Sequence, residues 1–142
     1  MHSSEHYLIL AGRFLMGFIF LASGVHKIVA PEATQQYMES YGLDMATTWL
    51  YLGAILVEVG GGLCLLLGFH TRQAALLLIL FMISTTSIFH TNFEDQNQMT
   101  HFLKNLAMTG GLLYVVAYGP GKISLDARDR IRHIFSVPLT RT

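Results

Sequence analysis

WLYLGAILVEVGGGLCLLLGF, residues 49–69, decides what kind of molecule this is. A bilayer-spanning helix needs ~20 mostly apolar residues, and this stretch supplies them. It also carries an acid, Glu58, near its middle. A charged group at the centre of a span costs at least ~2.5 kcal/mol to insert. A chain that keeps one there has an internal partner for it, a task for it, or both.

Outward from this stretch lie three more apolar runs, about 7–29, 74–90 and 102–118. Of the 142 residues, 52% are hydrophobic and 13% charged, with a mean hydropathy of +0.46. A soluble domain of this size would carry ~25% charged residues. The expectation is an all-α integral membrane four-helix bundle, a single domain over residues 1–142. The first run is interrupted by Arg13 and closed by His26 and Lys27, and the fourth stops at Gly119-Pro120-Gly121. A cleavable leader is a poor reading of the first run, because no small-x-small site follows and Glu5 weakens a basic start. Cys64 is the only cysteine. It excludes an internal disulfide, a Cys-x-x-Cys pair and any self-contained dithiol chemistry.

Charge orients the bundle. Arg72, Lys122, Arg128, Arg130, Arg132 and Arg141, with Arg13 near them, fall on one side; Lys27 and Lys104 fall on the other with five acids. The positive-inside rule then puts both termini, and the basic tail 119–142, in the cytoplasm. Between the first two spans, Ala33, Tyr37, Met38 and Tyr41 share one face of a short amphipathic helix expected against the outer membrane surface. In the tail, Ser124 reads as an N-cap, with Ala127, Ile131, Ile134 and Phe135 on one face. That tail is either a solvated basic segment or a docking element. Gly17, Gly24, Gly53, Gly60, Gly61, Gly62, Gly110 and Gly111 are expected to let helix backbones approach, which is how spans associate in lipid.

At ~1.5 Å per residue, Glu58 lies about 15 Å below the inner surface and Arg13 about 8 Å below it. Two arrangements are open: an Arg13–Glu58 contact, or Arg13 reaching the inner headgroups beside a protonated Glu58. At the other face His26, Lys27, His90, His101, Lys104 and Asn105 collect. Three histidines near Glu94 and Asp95 would suit a metal, but no HExxH and no paired Glu-x-x-His is present, so no metal site is assigned. Lys27, His90 and Asn105, beside Phe89, Phe93 and Phe102, instead offer donors at the mouth of an apolar cleft, which is what a quinone site needs. No haem, flavin or iron–sulfur ligand set, phosphate loop or nucleophile–base pair is visible.

GRFLMGFIFLASGVHKI (12–28), LVEVGGGLCLLLGFHTRQAA (56–75), Phe89-His90, FLKNLAMTGGLL (102–113) and GPGKISLD (119–126) together resemble the DoxX family of small bacterial membrane proteins. The family pattern falls on Arg13, Ser23, Gly24, Lys27, Glu58, His90 and Asn105. The resemblance implies a multi-pass inner-membrane protein, with relatives associated with a thiosulfate:quinone oxidoreductase and with an assembly containing superoxide dismutase and a sulfurtransferase. The bundle also looks like that of vitamin K epoxide reductase, but with only Cys64 any inheritance is a quinone-shaped pocket without the dithiol relay. The function expected is therefore a redox-associated membrane subunit holding a quinone or similar apolar ligand, at most a non-autonomous part of an oxidoreductase. Its partners would be the bilayer, a soluble or membrane redox protein, and further copies of itself. A non-catalytic anchor or assembly factor is the alternative, and a solute or proton pathway through Glu58 a third.

Overall fold

The computed structural model describes residues 3–128, all helix and connecting turns. The helices run α1 (Ser3–Val29), α2 (Pro31–Glu39), α3 (Thr47–Leu67), α4 (Thr71–Phe89) and α5 (Gln96–Tyr118). Among the described residues three helices, α1, α3 and α4, are long and apolar enough to cross a membrane. α5 has 23 residues but opens on the polar run Gln96-Asn97-Gln98.

Helix starts differ from the apolar runs for local reasons. α5 begins six residues before the expected 102 because the Asp95 carboxylate accepts from the Asn97 backbone N–H, capping a polar first turn. α4 begins at Thr71, three residues before the expected 74, and its cap comes from far along the chain, as described below. α2 forms with Pro31 in its first turn, where the missing N–H costs nothing. Its Met38 is buried with Tyr51, Ala54 and Phe89, whereas Ala33, expected on the same face, is exposed. α2 is thus pinned to the bundle end through Tyr37 and Tyr41, whose rings lie 5.5 and 5.1 Å from that of Phe89.

The long helices pack in sequence, α1 on α3, α3 on α4 and α4 on α5, leaving α1 against α5 as the loosest seam. The main core joins Phe20, Leu65, Leu78, Met82 and Leu112. The closest approach is α1 on α3. A Cβ placed on Gly17 would stand 2.8 Å from the Gly62 carbonyl oxygen, and one on Gly62 would stand 2.9 Å from the Gly17 carbonyl oxygen. Gly24 is equally tight against Val59, and Gly61 seats Leu78 of α4. The packing role expected of every glycine is corrected at Gly53, Gly60 and Gly110, where an added Cβ meets nothing within 4 Å. These three lie on faces that no neighbouring helix covers.

Gly60→Ala and Gly62→Ala should therefore act in opposite directions. The first relieves helix entropy, gaining about 0.5–1 kcal/mol. The second forces two backbones apart, costing about 1–3 kcal/mol. Thermal unfolding of the two variants in one detergent checks the sign, and equal midpoints would remove the α1–α3 contact as the fold's tightest point.

Candidate functional site

Glu58 finds its partner on α1. Its Oε2 lies 2.7 Å from Lys27 Nζ, and its Oε1 accepts from the Ser23 hydroxyl at 3.1 Å. Lys27 Nζ also donates to Ser23 Oγ at 3.1 Å. Ser23 and Lys27 stand one turn apart on the same helix face, and Gly24 between them lets α3 come close enough for contact. Tyr51 of α3 donates to the Lys27 carbonyl at 2.9 Å, tying the end of α1 down. Both carboxylate oxygens and the ammonium are thus engaged inside the bundle, which is the condition for keeping charges in a low-dielectric interior.

The Arg13–Glu58 contact does not form. Both side chains are buried, at 3% and 5% exposure, but they belong to different clusters. The Arg13 guanidinium donates through Nη1 to the Pro120 carbonyl and through Nη2 to the Ile123 carbonyl, the latter at 2.9 Å. Arg13 sits ten residues before Ser23 on a straight helix, about 15 Å away along its axis. Lys27, expected at an outer mouth, takes the place beside Glu58 instead.

The other two residues expected at that mouth also have partners of their own. His90 Nδ1 pairs with Gln98 Oε1 at 2.9 Å, and its ring stacks on His101 at 5.1 Å. Asn105 is buried and donates to Thr86 Oγ1 at 2.9 Å. Gln98 in turn donates to the hydroxyls of Tyr37 and Tyr41; the Tyr41 hydroxyl donates to the Phe89 carbonyl at 3.2 Å, and the single Tyr37 O–H faces both the Tyr41 hydroxyl and that carbonyl at 3.4 Å. Burial, followed by the bond to Tyr41, pushes the Tyr37 phenol above its ordinary range. Lys27, His90 and Asn105 therefore each have an internal partner, His90 and Asn105 on adjacent turns of the α4–α5 interface and Lys27 against Glu58. No group of three or more His, Cys, Asp or Glu that could hold a metal comes together among the described residues.

At the opposite end of the bundle the segment 119–126 forms a strap. Arg13 holds its first half. Asp126 holds its second, with Oδ1 accepting from the His70 N–H at 2.7 Å and Oδ2 accepting from the Thr71 N–H at 2.9 Å and the Thr71 hydroxyl at 2.7 Å. The Asp126 N–H donates to the Gly68 carbonyl at 2.9 Å. The α3–α4 turn needs this help, since Gly68 and His70 both have left-handed φ, 68° and 43°, and the first amides of α4 have no acceptor of their own. A negative charge there also suits the helix dipole. Ser124 acts as the N-cap expected of it, accepting from Ala127 N–H at 3.2 Å. Of the expected tail helix, residues 125–128 are helical; Arg130, Ile131, Arg132, Ile134, Phe135 and Arg141 lie outside the described residues. Asp126 was not singled out from sequence, because its contacts are 55 and 56 residues away in the chain.

The loose α1–α5 seam opens at this strap end into a cleft of about 810 Å³. Leu8, Gly12, Arg13, Tyr114, Val115 and Tyr118 are among its walls, and Glu5 also borders it. The cleft is apolar save for Arg13, Glu5 and the two tyrosine hydroxyls.

Asp126 supplies a pH dependence. Burial alone would raise its pKa, but the hydrogen bonds from Thr71 and His70 outweigh it and hold the carboxyl below its ordinary value. A depressed folded-state pKa contributes stability that is present above the unfolded value, about 3.9, and lost as pH falls through the folded one. The His70 and Thr71 amides should stay protected from exchange down to about pH 4 and lose protection only below it. Asp126→Ala, which removes both acceptor oxygens, should weaken that protection already at neutral pH, by an amount like a lost N-cap, about 1 kcal/mol; unchanged exchange would show that the strap does not hold the turn.

A family profile described as DoxX matches residues 8–91. Inner membrane protein YqjF of Escherichia coli (strain K12) is 40% identical over 126 residues, covering 89% of this chain and 95% of its own. Inner membrane protein YphA of the same organism is 33% identical over 126 residues, covering 85% of this chain and 89% of its own. A Surfeit locus protein 4 homolog of Schizosaccharomyces pombe is 26% identical over 137 residues, which make up 92% of this chain and 40% of that protein. No solved structure matches.

Proposed function

The chain belongs to the DoxX family and is an integral inner-membrane protein, and we propose that it holds a quinone or similar apolar ligand in the seam between α1 and α5, as the membrane subunit of a redox assembly. The observation that carries this reading is the cleft of about 810 Å³, large enough for a ring and part of its tail, with apolar walls and a few polar groups at one end. This moves the expected ligand site from the His90 end of the bundle to the Arg13 end. Lys27, His90 and Asn105 are then structural, each spent on an internal contact.

In the same reading α5 is the fourth span, its polar first turn lying at the membrane surface, and both termini face the cytoplasm. The basic residues around the strap support that orientation. A single cysteine introduced at Thr142, in a Cys64→Ser background, should react with an impermeant maleimide only in inverted vesicles; labelling in right-side-out vesicles would reverse the assignment.

A second reading, an anchor or assembly factor without a ligand, is favoured by the completeness of the Glu58–Lys27–Ser23 contacts. With both carboxylate oxygens and the ammonium engaged, this cluster fixes the register of α1 on α3 and leaves no free acid or base.

The two readings part on one measurement, quinone bound per chain in protein purified in mild detergent. Wild type should retain about one equivalent. Gly12→Phe should lose it, because Gly12 borders the cleft and a Cβ there meets nothing within 4 Å, so the ring fills the cleft without moving the helices. Glu58→Gln, outside the cleft, should keep whatever the fold keeps. No quinone above the lipid background in wild type would leave the anchor reading standing.

A further inference from the structure

We propose that the stacked imidazoles of His90 and His101 form an acid-sensitive latch at the end of the bundle opposite the strap. The pair holds α2 and the start of α5 to the end of α4 while at most one ring is charged, and parts when both are. The latch is independent of the cleft and of what occupies it.

The hydrogen bonds fix the state of both rings. The Tyr41 hydroxyl donates to the Phe89 carbonyl, so the Gln98 group facing it has to be the donating amide, with Nε2 at 3.1 Å. That turns Gln98 Oε1 toward His90 Nδ1, 2.9 Å away, and this nitrogen must carry a proton. Nε2 is then the bare nitrogen of a neutral His90. At the other ring, Lys104 Nζ stands 3.1 Å from His101 Nδ1. An ammonium only donates, so Nδ1 accepts and the proton of a neutral His101 sits on Nε2. The ring centroids are 5.1 Å apart and the planes 16° from parallel.

The two rings therefore answer a proton differently. One added to His90 Nε2 leaves the bond to Gln98 in place. One added to His101 Nδ1 takes the lone pair that Lys104 uses and sets two cations against each other. With both rings charged, three positive groups crowd one spot. Among the described residues no carboxylate pairs with either ring or with Lys104. The neighbours are Tyr37 of α2 and Tyr41 just after it, both reached through Gln98. Asp95 caps α5, and Lys27 of α1 spends its charge on Glu58. Burial, then Lys104, then His90 hold the His101 imidazole, which precedes the apolar run 102–118, below its ordinary value. Parted rings take up protons that the closed latch refuses, so opening is favoured as pH falls below about 6.5.

Three elements meet at the latch. His90 caps the end of α4, while Gln98 and His101 lie one turn apart on α5. Rings that repel each other draw Gln98 away from Tyr37 and Tyr41, and α2 then keeps only its apolar anchor at Met38.

The test follows the full-length protein in detergent by hydrogen exchange from about pH 7.5 to about pH 5, and by NMR titration of the imidazole ring signals. Protection factors, which divide out the intrinsic pH dependence of exchange, should fall about tenfold at α2 and at residues 96–101 while α3 stays level. The two rings should titrate in separate steps. His101→Phe keeps a flat ring against His90 but takes no proton, and protection should then hold across the range. Lys104→Gln removes the third charge and should move the wild-type loss to higher pH, which keeps the test readable if His101→Phe misfolds. Wild-type protection that stays level, or a loss that persists in His101→Phe, overturns the latch. So does a loss in Lys104→Gln at the wild-type pH, or a His90 titration that His101→Phe leaves unaltered.

Discussion

The contact of α1 on α3 at Gly17 and Gly62 governs the rest of the molecule. With each glycine's carbonyl less than 3 Å from where the other's Cβ would be, the two backbones run together with no side chain between them. In lipid there is no hydrophobic force to draw helices together, so such packing has to come from shape and from polar contacts. Both are used here. The glycine contact sets the distance, and Lys27, Ser23 and Glu58 set the register. A slide of one helical turn would leave two buried charges without partners, which breaking a buried pair shows to be a cost of about 3–5 kcal/mol.

A chain of packed helices closes on its first and last members, and closure is the weakest step here. α1 is committed to α3 and α5 to α4, so the α1–α5 seam is what geometry leaves over. Gly12 and the strap end keep it open. Arg13 stands where the seam and the strap meet, and its contacts belong to both. The Asp126 contacts then fasten the strap to the turn between α3 and α4, so the two connecting segments at that end of the bundle are held by two charged side chains.

The placement of α1, α3 and α4 was legible from hydropathy, and Glu58 from the cost of an acid inside a span. Its partner was not legible. The depth estimate brought Arg13 within reach and left Lys27 at the outer end, and the choice depends on the axial register of α1 on α3, which Gly17, Gly24 and Gly62 fix only once both helices are in place. The same limit hid Asp126. Its role depends on a turn more than fifty residues earlier, and an acid in a basic tail looks like any other acid. Glycines were over-read for a related reason. Gly60 and Gly62 sit two apart on one helix, and only three dimensions tell which faces a neighbour. Hydropathy was also blind to the polar first turn of α5, since a capping Asp95 starts a helix without any apolar residue.

The order in which the chain is made gives the strap another meaning. Lys27 meets Glu58 31 residues after it is synthesised, whereas Arg13 waits 107 residues for the carbonyl of Pro120. During biosynthesis the α1–α3 pair can therefore form and carry its own buried charges as soon as both helices have left the ribosome. Arg13 has no internal acceptor at that stage and must stay turned to the headgroups, where its long stem lets it reach water. Only when residues 119–126 emerge can the guanidinium fold inward and Asp126 close over the α3–α4 turn. A nascent or truncated chain that ends before this segment keeps a solvated arginine at the membrane surface. The finished protein hides it. The strap thereby turns Arg13 from a side chain that must reach water into one satisfied inside the bundle.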